Sequence, residues 1–216
     1  PNYIFFEGNR WISSILVFFS PYFMPLLFVL AGVSTKFALK KRTTKDYLME
    51  RVKRLLIPLL FGTIVIMPIM TYLADKFNYS YSGGLLQHYT IFFTKYTDLI
   101  GADGGFSLGQ FWFLLYLLTI SILGVGIITL LERFIEKSDK TIPFWVVCLL
   151  GLPLPLLSEL LSIGGKSLVE YTYLFMLGYY VFADEKIISK VEKNCWFVFS
   201  IGLVATILNV YLFIWV

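Results

Sequence analysis

Charged residues are scarce in this chain of 216 residues, since only 15% are Asp, Glu, Lys or Arg while 58% are hydrophobic. Soluble domains carry about 25% charged and about 45–50% apolar residues. The composition therefore excludes an ordinary soluble enzyme and a disordered tail, and lipid is the expected solvent for most of the chain. Two cysteines are too few for a disulfide framework. The sequence also contains no cluster of metal ligands, phosphate loop or haem motif.

Long apolar runs make up most of the chain. Crossing the hydrocarbon of a bilayer takes about 20 apolar residues, or about 17 at the short end. Six segments approach this length and predict membrane-spanning helices: 11–31, 55–74, 111–131, 144–163, 168–183 and 196–216. Residues 1–216 are therefore predicted to form a single domain, an all-α, polytopic membrane helix bundle. Prolines predict kinks in three of these spans: Pro21, Pro25, Pro58, Pro68, Pro153 and Pro155.

Positive charge is distributed unevenly along the chain. Of the 18 Lys and Arg residues, fourteen lie in the segments 32–54, 132–143 and 184–195. Because cytoplasmic loops retain positive charge during insertion, these three segments are predicted to face the cytoplasm, in a plasma or inner membrane. The basic residues lie beside spans and are not spread over a soluble face, so nucleic acid is not an expected partner.

This orientation places both ends of the sequence outside the cell. An external N-terminus normally follows a signal peptide or an earlier span, and neither precedes Trp11. We therefore expect the sequence to be an internal piece of a larger polytopic protein, with at least one further span before Pro1. The alternative is a complete protein of six spans inserted with its N-terminus outside.

The longest connection between spans, 75–110, lies on the predicted outer side. Apolar residues recur in it at helical spacing and predict an amphipathic helix in the membrane interface: Leu85, Leu86, Tyr89, Phe92, Phe93, Tyr96, Leu99 and Ile100. The opposite, polar face of this helix contains His88, the only histidine of the chain. We expect the His88 side chain to be solvated.

The basic segment 32–54 contains signals of a helix boundary. Gly32 is expected to end the first helix, and Thr43 or Thr44 to cap a second helix that begins at Lys45. An apolar stripe on the second helix predicts its buried face: Tyr47, Leu48, Val52, Leu55 and Leu56.

Arg51 and Arg54 lie three residues apart on this helix, so their guanidinium groups project from the same side. Glu50 can form an ion pair with Arg54 at a spacing of four residues. Planar, permanently charged guanidinium groups bind phosphate through paired hydrogen bonds, which predicts a phosphate site. Alternatively, the two arginines contact lipid phosphates and enforce the topology.

Two carboxylates lie inside predicted spans. Glu159 and Glu170 are both near the outer end of their spans, and Lys166 lies in the hairpin between them. Carboxylates in a membrane are costly and indicate a functional site. A structural ion pair with Lys166 is the alternative.

Three blocks of the sequence resemble the acyltransferase-3 family of membrane proteins, which O-acylate sugars and other acceptors. The run 20–32, SPYFMPLLFVLAG, is similar to the family's MPLFFFLSG helix, and the run 47–58, YLMERVKRLLIP, is similar to its Arg-x-x-Arg block. The run 110–114, QFWFL, is similar to the HLWFL opening of a later span. The blocks occur in the family's order and spacing and cover roughly residues 15–130.

The resemblance implies an enzyme that takes an acyl group, with acetyl the first expectation, from cytoplasmic acyl-coenzyme A (acyl-CoA). The acceptor would be a hydroxyl of a cell-envelope carbohydrate or a similar molecule across the bilayer. Arg51 and Arg54 match the family's Arg-x-x-Arg motif and would bind the phosphates of the coenzyme. Acyl-CoA is a substrate here, and no permanently bound cofactor or metal is expected.

The resemblance also implies a catalytic histidine, which the family carries on its first span as the general base. That span would precede Pro1, so no catalytic residue is predicted in this chain. Gln110 stands where the family often has histidine, and its amide can still donate and accept hydrogen bonds. Gln110, Trp112, Glu159 and Glu170 are the predicted acceptor-site residues. For Trp112, an aromatic anchor in the outer interface is the alternative.

Two rival functions follow from the same sequence. A transporter or flippase core would place paired charges or broken helices near the middle of the bilayer, whereas four of the predicted spans contain no charged residue. The second rival is an inactive, truncated membrane protein.

Overall fold

The structure, a computed structural model, describes residues 10–96, 105–134 and 142–215. Helices dominate these residues, which confirms the predicted all-α class. The α-helices are α1 (Arg10–Leu39), α2 (Thr44–Phe61), α3 (Met67–Tyr79), α4 (Leu85–Thr94), α5 (Trp112–Phe134), α6 (Phe144–Leu149), α7 (Leu154–Leu157), α8 (Leu168–Leu177), α9 (Glu185–Lys193) and α10 (Cys195–Val210). A short hairpin pairs β1 (Ser162–Ile163) with β2 (Lys166–Ser167). Turns of π-helix follow α2, α8 and α10 at Gly62–Ile66, Gly178–Phe182 and Tyr211–Trp215.

Four helical segments are long and apolar enough to cross a membrane. They correspond to the first, second, third and sixth predicted spans and support a multi-pass membrane protein: Arg10–Leu39, Thr44–Tyr79, Gly109–Phe134 and Cys195–Trp215. The first and last of them bury little of their apolar surface within the structure. Exposed apolar helix faces of this length fit a lipid environment.

The continuous helix predicted over 144–163 is not present. The segment forms the short helices α6 and α7 and then enters the β1–β2 hairpin. Pro153 and Pro155 lack the amide hydrogen that a continuous helix needs, so they break it. Gly164 and Gly165 form the hairpin turn with φ values of 58° and 74°, a conformation that favours glycine. The span predicted over 168–183 is helical through α8 and the following π-turn.

Contacts group the described residues into two compact units. Unit 1 contains the described parts of Thr43–Ile122 together with Leu161–Leu168. Unit 2 contains the described parts of 7–42 and 169–216 together with those of Leu123–Leu160.

In unit 2 the backbone of α1 lies directly against that of α8 and its π-turn. Gly32 does not end the first helix as predicted, because α1 continues to Leu39. A Cβ atom at Gly32 would collide with the carbonyl oxygen of Phe175, and one at Gly178 would collide with that of Val29. The two glycines therefore permit a close helix crossing, as small residues do in membrane bundles.

Three segments predicted to be cytoplasmic meet at one end of unit 2. The Lys36 Nζ lies 5.7 Å from the centre of the Tyr179 ring, and the Tyr179 hydroxyl donates to Glu132 Oε1 at 3.1 Å. The Lys190 Nζ donates to the carbonyl oxygen of Ile142 at 3.0 Å. These contacts link described parts of the three basic segments, in one case through Tyr179, and the cytoplasmic location of the segments stays a prediction.

The segment 184–195 contains α9, for which the sequence pattern gave no prediction. The Asp184 side chain caps this helix by accepting a hydrogen bond from the Lys186 amide at 2.9 Å. Ile187 is buried on its inner face. The helix thus presents Ile187 to the protein and leaves Lys186 and Lys193 exposed.

Candidate functional site

Helix α2 positions the two arginines that were predicted to bind phosphate. Thr43, one of the two predicted caps, is the N-cap, and its hydroxyl oxygen accepts a hydrogen bond from the Asp46 amide at 3.2 Å. Tyr47 and Leu55 of the predicted apolar stripe are buried in unit 1. Because this stripe faces the protein, the basic side of α2 is directed away from the core.

The arginines are held by different partners. The Arg51 Nε donates to the Tyr47 hydroxyl at 2.9 Å, and the guanidinium carbon lies 5.3 Å from the centre of the Tyr47 ring. Arg54 forms the predicted ion pair with Glu50 at 2.5 Å, and its side chain is 75% exposed. An exposed pair of this kind contributes little to stability, about 0–1 kcal/mol. Arg54 can therefore exchange Glu50 for a phosphate at small cost.

At the start of α5, Gln110 is exposed whereas Trp112 is buried. Gly109 has a φ of 48° and opens the 3-10 turn Gly109–Phe111, which leaves Gln110 exposed. Trp112 is only 6% exposed, so it is a core residue of unit 1 and not an exposed interface anchor. Its ring lies 5.5 Å from the Lys166 Nζ.

Tyr116 links α5 to the hairpin that carries Lys166. Its hydroxyl donates to the carbonyl oxygen of Lys166 at 2.8 Å and lies 3.4 Å from that of Ile163. Its ring packs edge-on against Trp112 at a centroid distance of 5.2 Å. Trp112, Tyr116 and Lys166 thus form one cluster in unit 1, of which the sequence analysis identified two members.

The predicted carboxylates occupy different settings in unit 2. Glu159 is exposed in the turn after α7 and is not inside a helix, because the predicted span ends early. Glu170 is half-buried in the first turn of α8, where the helix dipole favours a negative charge. The acceptor-site role of both stays a prediction.

His88 is buried and not solvated, contrary to the sequence prediction. Its side chain is 0% exposed, because α4 packs on α3 and His88 lies against Thr71, Tyr72 and Asp75. The predicted helix is present as α4, and its predicted apolar stripe is partly exposed: Leu86 is 85% exposed, and Tyr96, which follows the helix, is 91% exposed. Leu99 and Ile100 lie outside the described residues.

His88 contacts two residues of α3 that lie four positions apart. Its Nε2 is 3.2 Å from the Thr71 hydroxyl oxygen, and its Nδ1 is 3.8 Å from Asp75 Oδ2. The Thr71 hydroxyl also donates to the carbonyl oxygen of Met67 at 3.0 Å. Within the described residues, the Nδ1 has no hydrogen-bond partner. Thr71 and Asp75 lie four residues apart and therefore share one face of α3, which places both beside the His88 ring.

We expect the folded protein to lose stability as the pH falls below about 7, where His88 of the unfolded chain begins to be protonated. Burial lowers the pKa of His88 below 6.5, and Lys95 adds to this effect while Asp75 opposes it. Between the pKa of His88 in the folded chain and its higher pKa in the unfolded chain, the unfolded chain binds more protons. The free energy of unfolding therefore decreases as the pH decreases through this range. Thermal unfolding in detergent measures this dependence. His88→Asn should weaken it, and an identical dependence in both proteins would contradict the assignment.

Within the described residues, no group of three or more His, Cys, Asp and Glu side chains could hold a metal ion. The clusters found are instead an arginine pair on α2, an aromatic and lysine cluster at the start of α5, and the buried histidine of α4.

Comparison with known proteins identifies the family of this chain. No curated protein and no solved structure shows significant similarity to this chain. The sequence model of the acyltransferase-3 family, described as an acyltransferase domain, matches residues 2–214. The match extends the resemblance seen in three sequence blocks to nearly the whole chain. This chain therefore belongs to the acyltransferase-3 family and is a multi-pass membrane acyltransferase.

Proposed function

We propose that this acyltransferase takes its acyl group from cytoplasmic acyl-CoA and transfers it to a hydroxyl of a cell-envelope carbohydrate. Acetyl is the acyl group to test first. The observation that carries the proposal is the arginine pair on α2, which lies in the most basic of the three segments assigned to the cytoplasm. A coenzyme with several phosphates is a donor that such a pair recognises.

Arg51 and Arg54 have different parts in the proposed donor site. Tyr47 orients the Arg51 guanidinium through one hydrogen bond from Nε. A guanidinium group carries five N–H donors in a fixed plane, a geometry that matches the oxygens of a phosphate. Arg54 is exposed and supplies a second positive charge. When the coenzyme binds, its guanidinium group exchanges the ion pair with Glu50 for one with a phosphate.

The proposed reaction exchanges one acyl bond for another. The acceptor hydroxyl oxygen attacks the thioester carbonyl carbon, and the bond between that carbon and the coenzyme sulfur breaks. A general base removes the hydroxyl proton, which finally resides on the released coenzyme thiol. The family resemblance implies that a histidine is this base.

The acceptor would bind on the outer side, where the charge distribution along the chain is expected to place Gln110, Trp112, Glu159 and Glu170. The exposed amide of Gln110 can donate to and accept from sugar hydroxyls. Glu159 and Glu170 can accept hydrogen bonds from hydroxyls. Trp112 supports this region from the core of unit 1, where it contacts Lys166.

Sealed membrane vesicles of both orientations test the donor and its side. We expect inside-out vesicles that carry the protein to transfer label from acetyl-CoA, labelled in the acetyl group, to a carbohydrate fraction. Sealed right-side-out vesicles given the same coenzyme externally should transfer far less until they are opened. Vesicles without the protein provide the background. Equal transfer in both orientations, or none from acyl-CoA in either, would contradict the proposed donor side or the proposed donor.

A further inference from the structure

Unit 1 contains a cavity of about 400 Å³ beside the buried histidine of α4. The described residues that line it are Asp75, Tyr79, Tyr81 and Lys95. This volume lies within the range of small-molecule sites, about 300–1,000 Å³. The cavity falls in the connection that the charge distribution places on the outer side of the membrane.

The local backbone explains how Tyr81 reaches the cavity. Helix α3 ends at Ser80, which adopts a left-handed conformation with a φ of 52°. The chain then turns back, and the Tyr81 amide donates to the carbonyl oxygen of Asp75 at 3.3 Å. This turn brings the Tyr81 ring against His88, at a centroid distance of 5.5 Å.

Two buried polar atoms at this site lack partners. Among the described residues, neither the Tyr81 hydroxyl nor the His88 Nδ1 has a hydrogen-bond partner, although both are shielded from solvent. Leaving such groups unsatisfied is costly, so unsatisfied polar atoms beside a cavity indicate a missing ligand group. Asp75, 17% exposed, lines the cavity and lies 3.8 Å from the His88 Nδ1.

The chemistry of the lining selects the class of ligand. The described lining residues supply one carboxylate and one ammonium group, so their charges balance and a strongly charged ligand is not favoured. The carboxylate accepts hydrogen bonds from hydroxyls, and the phenol groups donate and accept them. The tyrosine rings offer flat apolar surfaces beside these polar groups. A neutral molecule that carries several hydroxyls along an apolar ring fits this combination.

We propose that this cavity binds one part of the acyl acceptor, a neutral polyhydroxylated group such as a sugar ring, in addition to the four acceptor-site residues proposed above. Asp75 accepts a hydrogen bond from one ligand hydroxyl, and the Tyr81 hydroxyl gains the partner that it lacks. As an acceptor site, the cavity rests on the proposed transfer to a carbohydrate. As a binding site, it is testable without the transfer reaction.

Binding is measured with methyl β-glucoside by saturation-transfer NMR, on the protein in lipid nanodiscs free of glycoside detergents. We expect saturable binding to the wild-type protein. Asp75→Asn should weaken it about tenfold, because the hydrogen bond to a charged acceptor becomes one to a neutral acceptor. Glu192→Gln on α9 is the matched control, since it removes an exposed carboxylate far from this connection in sequence.

Tyr81→Phe separates a binding role from a structural one. The hydroxyl has no partner among the described residues of the unliganded protein, so its removal should leave the thermal midpoint unchanged or raise it. The same change should weaken glucoside binding about fivefold to tenfold, as the loss of one ligand hydrogen bond does. Unchanged glucoside binding in both variants, or no binding to the wild-type protein, would overturn the proposal.

The outcomes for the cavity and for the proposed function are distinct. Glucoside binding that both variants weaken, without any transfer from acyl-CoA, would support the cavity and contradict the proposed donor. Transfer from acyl-CoA with an unchanged KM for the carbohydrate acceptor in both variants would support the donor and contradict the cavity as the acceptor site.

Discussion

Arg51→Ala is expected to raise the KM for acyl-CoA about tenfold to a hundredfold, and Arg51→Ala with Arg54→Ala to abolish measurable transfer. Hydrogen bonds to charged groups contribute about 1.5–3 kcal/mol each, and every 1.4 kcal/mol changes an affinity tenfold. Arg51→Lys should recover only part of the activity, because an ammonium group cannot form the paired hydrogen bonds of a guanidinium. Label transfer in membranes at several acyl-CoA concentrations measures these effects.

Two control variants distinguish a loss of donor binding from an effect of the overall positive charge or of misfolding. Lys53→Ala removes an exposed cation between the two arginines and should change the KM less than threefold. Tyr47→Phe removes the hydroxyl that Arg51 contacts but keeps the buried ring, so it should have a smaller effect than Arg51→Ala. Equal losses in Lys53→Ala and Arg51→Ala would indicate membrane electrostatics. Normal transfer by the double arginine variant would remove the pair from the mechanism.

Gly32→Ala and Gly178→Ala are each expected to reduce strongly the amount of folded protein in membranes. A Cβ at either position would meet a backbone carbonyl oxygen of the opposite helix, which no side-chain rotation can relieve. Overpacking of a core costs about 1–3 kcal/mol, and separation of the helices would also remove their packing contacts. Thermal unfolding and size-exclusion profiles in detergent measure the loss.

Gly126 and Gly202 provide matched controls in the same unit. A Cβ at either of these helical glycines would have no atom within 4 Å among those considered. Replacement by Ala should therefore be neutral, or stabilising by up to about 1 kcal/mol through helix propensity. If Gly32→Ala were as stable as Gly126→Ala, the close crossing of α1 over the π-turn after α8 would be wrong.

The features determined by the sequence alone depend on composition and on contacts between near neighbours. Few charges and long apolar runs predict a membrane bundle at any arrangement of the helices, since a lipid-facing helix needs only length and hydrophobicity. The cap at Thr43 and the pair of Glu50 with Arg54 form within one helix, where the spacing fixes the distance. The family match likewise depends on order along the chain, and the quoted blocks already carried the resemblance.

Only the tertiary structure decided which side of a residue meets another part of the chain. Gly32 resembles a helix stop in sequence, yet it is a contact point because a second backbone lies against it. His88 belongs to a polar helix face, yet it is buried because Thr71 and Asp75 of α3 supply polar neighbours. A sequence pattern measures the preference of each residue for water or lipid. The partner that satisfies a buried polar group, or the backbone that requires a glycine, comes from distant positions and exists only after the helices pack.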